Sequence, residues 1–163
     1  MIKISAFLLF ALMLFSCKNN TVFTEYKNVK DNKWHKDSIV TFTYDAKDTI
    51  SKNDIFIHLR NNKDYDFSNI YLIIGIKFPN DYSIKDTLEY RMTDEKGVFL
   101  GTGFTDIKEN KLEYKTNIVF PQPGKYQFSV EQAMRKLGNI KGEEYLNGIT
   151  DVGIEIEKTN NNE

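Results

Sequence analysis

From Asp37 onward the chain alternates. Ile39, Thr41 and Thr43 interleave with Val40, Phe42 and Tyr44, and Ile55, Ile57 and Leu59 interleave with Phe56, His58 and Arg60. A period of two sends successive side chains to opposite faces of an extended strand, so such a segment buries one face and wets the other. Strands are predicted over 38–45 and 54–61. The run 70–78 is apolar at nearly every position, as in a central strand covered on both faces or one carrying a packed outer patch. Asn61-Asn62-Lys63-Asp64 before it and Pro79-Asn80-Asp81 after it are turn chemistry. Further strands fit 87–92, 98–104, 113–120, 124–132 and 152–158, and only 131–137 and 143–146 hint at helix. Many short strands divided by turns predict an all-β domain, an immunoglobulin-like or jelly-roll-like antiparallel β-sandwich over residues 34–158.

This sandwich has no thiol to staple it. The only cysteine is Cys17, directly after an apolar run of about a dozen residues that follows Lys3. That run is too short for a spanning helix, which needs roughly 20 residues, and it matches the apolar segment of a signal peptide. Leu14-Phe15-Ser16-Cys17 resembles the lipobox of bacterial lipoproteins, with a branched apolar residue three positions before the cysteine and a small residue directly before it. The resemblance implies cleavage of residues 1–16 and acylation of Cys17, an anchor of several chains, each buried methylene contributing about 0.8 kcal/mol. By analogy with lipoprotein sorting, Lys18 in place of an aspartate points to the outer membrane. Lys18-Asn19-Asn20, lacking an acidic run, points to its periplasmic face.

Cleavage leaves 147 residues, the size of one domain. It removes Lys3, so 21 basic residues face 23 acidic ones and the formal charge is −2. Nothing there draws nucleic acid to a broad face. With Cys17 acylated, stability must come from packing, for which the 9 Phe that follow the cleavage point, of 12 in the chain, and 9 Tyr supply large apolar area. Residues 17–33 read as the lipidated cysteine and a polar tether, with an edge strand through Val22–Tyr26 as the alternative. Residues 159–163 read as a disordered tail.

A nucleophile needs a base held beside it. Only two histidines are available. His35 stands next to Trp34, and His58 falls in the polar phase of a strand, the place of a solvent-facing or edge side chain. Zinc wants several ligands at set spacing, which two isolated histidines do not provide. Gly97-Val-Phe-Leu-Gly-Thr-Gly103 lacks the lysine and helix of a phosphate loop, so its glycines permit a bulge or a close strand approach. No catalytic residue, metal or cofactor is predicted. Phe120-Pro-Gln-Pro-Gly-Lys-Tyr126 puts a tight turn before an aromatic strand, where Tyr126 is either a corner tyrosine bonded back to the chain or an ordinary core residue. Gln132, Met134 and Arg135 at one strand end, with Asp151 at the start of the last strand, form a candidate partner interface, because Met and Arg are favoured in such surfaces. The alternative packs Met134 in the core and pairs Glu131 with Arg135.

In order along the chain, several pieces resemble the GldH lipoproteins of gliding Bacteroidetes. They are Cys17 after its signal; Trp34 followed by Val40-Thr41-Phe42; Leu59-Arg60-Asn61 with Tyr65, Phe67, Asn69 and Tyr71; and Gly97 to Gly103 with Asp106-Ile107. Pro123-Gly124-Lys125-Tyr126, Glu131 to Arg135 and Asp151-Val152-Gly153-Ile154 complete the set. Phe99 stands where many relatives carry tryptophan and keeps an aromatic there. The resemblance implies a cell-envelope lipoprotein of the gliding machinery, coupled to type IX secretion, with other machinery proteins as partners. It implies no catalytic residue. The other function class open to such a chain is a lipoprotein sandwich that binds a glycan or small ligand, for which the aromatic and Asn content would serve.

Overall fold

The alternation of the sequence becomes alternation of burial. A computed structural model describes residues 20–159, and the signal segment, Cys17 and residues 160–163 lie outside the described residues. Ten strands are formed: β1 (Thr21–Asn28), β2 (Lys33–His35), β3 (Val40–Ala46), β4 (Asn53–Asn61), β5 (Asn69–Lys77), β6 (Ser83–Arg91), β7 (Lys108–Ile118), β8 (Gly124–Gln132), β9 (Tyr145–Asn147) and β10 (Ile149–Lys158). Ile55, Ile57 and Leu59 of β4 face Phe128 and Val130 of β8 and Leu72 and Ile74 of β5 in one common core, all fully buried. The other face of β5 carries Tyr71 and Ile73 half-buried, so 70–78 is a strand with a packed outer patch.

Two antiparallel sheets run in the orders β1-β10-β4-β7 and β3-β8-β5-β6, with β2-β9 as a small separate ribbon. With that ribbon set aside and the eight long strands numbered along the chain, the orders are 1-8-3-6 and 2-7-4-5. That is the jelly-roll arrangement of two interleaved Greek keys, which decides between the two sandwich types. The turns 47–52, 78–82 and 119–123 lie at one end together with the start of β1 and the finish of β10. The connections 29–39, 62–68, 92–107 and 133–148 lie at the other.

Aromatic rings close the terminal end. Phe23, Tyr44, Phe120, Tyr126 and Phe78 form a chain with centroid spacings of 5.5, 5.1, 4.9 and 5.4 Å. Tyr126 is the corner tyrosine: its hydroxyl donates to the Gln122 carbonyl at 2.9 Å and accepts from the Gln122 N–H at 3.2 Å. At the opposite end Trp34 is buried under the β2-β9 ribbon and donates its indole N–H to the Ser38 carbonyl at 2.8 Å.

Three expectations are corrected. Residues 21–28 are not a tether but the edge strand β1, paired with β10 from Thr21↔Glu157 to Asn28↔Asp151. Its inward side is weakly apolar, Phe23 against Tyr44 and Lys27 over the Phe42 ring, so the alternation is hard to read locally. Residues 98–104 are not a strand. They make only the isolated bridges Thr93↔Phe99 and Thr102↔Glu109, and Val98, Leu100 and Phe104 are exposed. Gly101 passes so close to β7 that a Cβ there would sit 2.9 Å from the Glu109 carbonyl oxygen, which makes this a glycine contact of the expected kind. The helical hints at 131–137 and 143–146 form no helix, and a single 3-10 turn at Lys30–Asn32 is the one helical element among the described residues. Replacing Tyr126 by Phe should leave the fold intact and lower its stability by roughly 1 kcal/mol, read as a lower urea midpoint at unchanged m-value.

Candidate partner interface

Gln132 and Met134 are interior residues. The Gln132 amide donates to the Glu143 carbonyl at 2.9 Å, and its oxygen accepts the Met134 N–H at 2.9 Å. The Met134 sulfur in turn accepts the Tyr71 N–H at 3.1 Å, and its carbonyl accepts the Glu143 N–H at 2.7 Å. These bonds tie the ends of the 133–144 loop to β5 and β8, so both residues shape the surface rather than form it. Arg135 is exposed. Glu131 pairs with Lys85 at 3.0 Å, and Arg135 makes no ion pair among the described residues. Arg135 lines an open groove of about 890 Å³ with Phe67, Asn69, Tyr71, Leu137 and Ile140, the last two almost fully solvent-exposed.

Asp151 is elsewhere. It lies half-buried on β10 of the other sheet, where its carboxylate accepts from the Thr150 hydroxyl at 2.8 Å and the Asn28 amide at 3.4 Å. Of the four residues expected together, only Arg135 faces the groove.

The outer face of the β1-β10-β4-β7 sheet holds a charged cluster that the sequence reading missed. His58 is on the outer face, as its phase predicts, yet it is buried instead of solvent-facing. Its Nε2 is 2.7 Å from Glu155 and its Nδ1 3.1 Å from Glu109, so each ring nitrogen faces a carboxylate oxygen. Arg60 lies 4.3 Å over the Tyr26 ring and reaches Glu109 at 3.3 Å, while the Tyr26 hydroxyl donates to the same carboxylate. Lys111 bridges Glu155 at 3.1 Å and Glu157 at 2.6 Å. The cross-strand register that assembles this cluster runs Tyr26↔Gly153↔His58↔Lys111. Gly153 leaves room for the Tyr26 ring, which a Cβ would approach to 2.7 Å.

Burial pushes the Glu155 carboxyl upward, but hydrogen bonds from Lys111, Thr21 and His58 outweigh it and hold the group down at about 2. Glu109 shows the same balance, desolvation opposed and exceeded by Tyr26, Arg60 and His58. Burial, then Glu109, raises the Tyr26 hydroxyl. His58, Arg60 and Lys111 meet Glu109, Glu155 and Glu157 across β4, β7 and β10, and the Tyr26 and Thr21 hydroxyls tie β1 to the same carboxylates. Among the described residues no group of three or more His, Cys, Asp or Glu is placed to hold a metal ion.

The chain matches the GldH lipoprotein family over residues 21–156. It is 50% identical to the gliding motility lipoprotein GldH homolog of Christiangramia forsetii, with 94% of each chain covered. With the gliding motility lipoprotein GldH of Flavobacterium johnsoniae the identity is 48% over 93% of each. This chain belongs to the GldH lipoprotein family. The GldH match opens at Thr21, where β1 begins, and runs into β10, so the strand first read as tether is inside the family's domain. Phe99 is half-buried with its ring 6.5 Å from Tyr65. Among solved structures, a family GH115 4-O-methyl-α-glucuronidase shares 7% identity at a TM-score of 0.47, covering 88% of this chain and 18% of that one. The infectious bursal disease virus VP2 subviral particle shares 12% at 0.36, covering 86% and 31%. The chain thus spans under a third of either structure's length.

Two outcomes follow from the geometry. Glu155→Gln should cost roughly 2 kcal/mol at neutral pH by leaving cations under-paired. A carboxyl lowered from 4.5 to about 2 on folding stabilises above its unfolded value and loses that contribution as pH falls. In urea titrations the gap between parent and variant should therefore hold above about pH 5 and close toward pH 2. Arg135→Glu, at an exposed site without an ion pair, should change stability by less than about 0.5 kcal/mol.

Proposed function

We propose that this GldH-family lipoprotein is a non-enzymatic accessory of the gliding machinery. It is held by acylated Cys17 at the periplasmic face of the outer membrane, acts through protein–protein contacts and is linked to type IX secretion. The observation that carries this reading is the polarity of the sandwich. β1 begins at Thr21, four residues after Cys17, so the anchor leads into the terminal end. The Arg135 groove, with exposed Leu137 and Ile140, opens among the connections at the opposite end, where a partner has access. Exposed apolar side chains beside an unpaired arginine are the chemistry of a protein interface. The saturated state of the His58 cluster, where each charged group is already engaged, supports binding over catalysis.

Deletion of the gene in its host tests the proposal. Colony spreading should be lost with growth on every glycan unchanged. The parent chain should restore spreading, and Cys17→Ser should not, because it loses lipid labelling and leaves the membrane fraction. Arg135→Glu should give a folded, anchored protein that restores spreading poorly, since a reversed charge opposes the partner's field. A deletion strain that spreads normally but fails on one carbohydrate would establish the glycan-binding alternative instead.

A further inference from the structure

The terminal end of the sandwich exposes apolar side chains that the fold does not need. Ile50 is 87% exposed, Tyr82 61% and Val119 39%, one on each of the three turns that close this end. Two of these tips are fixed by hydrogen bonds. The Asp48 carboxylate accepts the N–H groups of Ile50 and Ser51 at 3.0 and 2.9 Å, which aims Ile50 outward. Tyr82 donates its N–H to the Asn80 side chain at 3.2 Å, accepts the Phe78 N–H at 2.8 Å and stacks its ring 5.6 Å from Phe78. Lys47 and Lys52 bracket Ile50 and make no ion pair among the described residues, whereas Asp48 and Asp81 are engaged by Lys158 and Lys77.

Chain length decides what meets this surface. The Asn20 carbonyl accepts the Lys158 N–H at 2.9 Å, so the chain is already pinned to the sandwich at Asn20. Only Lys18 and Asn19 lie between Cys17 and Asn20, and three fully extended residue steps span at most about 11 Å. A bilayer has about 30 Å of hydrocarbon within about 40–45 Å overall, so its headgroup layer is roughly 5–8 Å deep. A lipidated Cys17 at that interface therefore keeps Asn20, and the end of the sandwich to which it is pinned, within about 11 Å of it.

We infer that this end is a membrane-contact face, docked on the leaflet that holds the Cys17 lipid. Ile50 and Val119 enter the boundary between headgroups and acyl chains, Tyr82 takes the interfacial position favoured by tyrosine, and Lys47 and Lys52 meet lipid phosphates. The inference rests on the anchoring reading and adds orientation to it. β5, nine residues long, rises about 30 Å at roughly 3.3 Å per residue. The docked sandwich therefore stands upright and holds the Arg135 groove that far from the leaflet.

The test uses the full-length lipidated protein reconstituted in vesicles of phosphatidylcholine and phosphatidylglycerol. Acylation blocks the only native thiol, so Ile50→Cys and Leu137→Cys each carry one fluorophore, and both substitutions fall at exposed positions that leave the core untouched. Lipids brominated on their acyl chains should quench the label at position 50 several-fold more than the label at 137. Flotation with the vesicles and equal quenching at the two positions would overturn the membrane-contact face while leaving the anchor standing. Failure to float would overturn the anchor and, with it, this inference.

Discussion

The mutual burial of two inner sheet faces holds this molecule together, because no disulfide is available to the domain. β4 and β10, at the centre of one sheet, contribute Ile55, Ile57, Leu59, Val152, Ile154 and Ile156, all without exposure. β5 and β8 answer from the other sheet with Leu72, Ile74, Phe128 and Val130. Truncating one such side chain costs about 2–5 kcal/mol, a large share of a domain's net stability. The rings from Phe23 to Phe78 seal one end of this apolar layer, and Trp34 with its ribbon covers the other. Polar groups inside are paired: the Asn110 amide donates to Asn61 at 2.9 Å and to the Leu59 carbonyl at 3.1 Å.

Outside the core, the two sheets solve different problems. Among the described residues no layer covers the outer face of the β1-β10-β4-β7 sheet, yet His58 and Glu155 lie largely out of solvent among Tyr26, Arg60 and Lys111. Ion pairs there link β4, β7 and β10, and hydrogen bonds from Thr21 and Tyr26 add the polar edge strand β1, whose inward side supplies little apolar area, to the backbone ladder that holds it to β10. The β3-β8-β5-β6 sheet instead keeps an open groove bordered by a loop that Gln132 and Met134 tie down. One outer surface is internally satisfied and the other is left available.

What the sequence discloses follows from the range of the forces involved. β4 and β8 are readable because their alternation is a local consequence of one buried face, and the corner at Tyr126 because its partner, Gln122, is four residues away. β1 is obscure because its partner β10 is more than 120 residues distant and supplies the order that composition lacks. Val98 to Phe104 misleads because apolar residues in an exposed loop imitate a strand. His58 is correctly phased but wrongly exposed, since its two carboxylates come from 51 and 97 residues away. Met134 and Arg135, neighbours in the chain, divide between interior and surface where β8 ends, and nothing in their spacing distinguishes them. The glycine at 153 is the one local trace of the cluster, a small residue between two strands that each place a ring beside it.

The position of β10 has a kinetic consequence. Among the described residues it is the last strand in chain order, and it lies inside its sheet, with β1 on one side and β4 on the other. A chain that emerges from its N-terminus keeps β1 without this partner until β10, more than 120 residues later, has emerged. Until then β4 exposes the edge that β10 will cover, so the half-emerged chain cannot close its core. Non-local pairing of this kind is slow and leaves unpaired edges open to misassociation. The topology thus sets the order of events: emergence first, closure second, with β10 acting as the clasp.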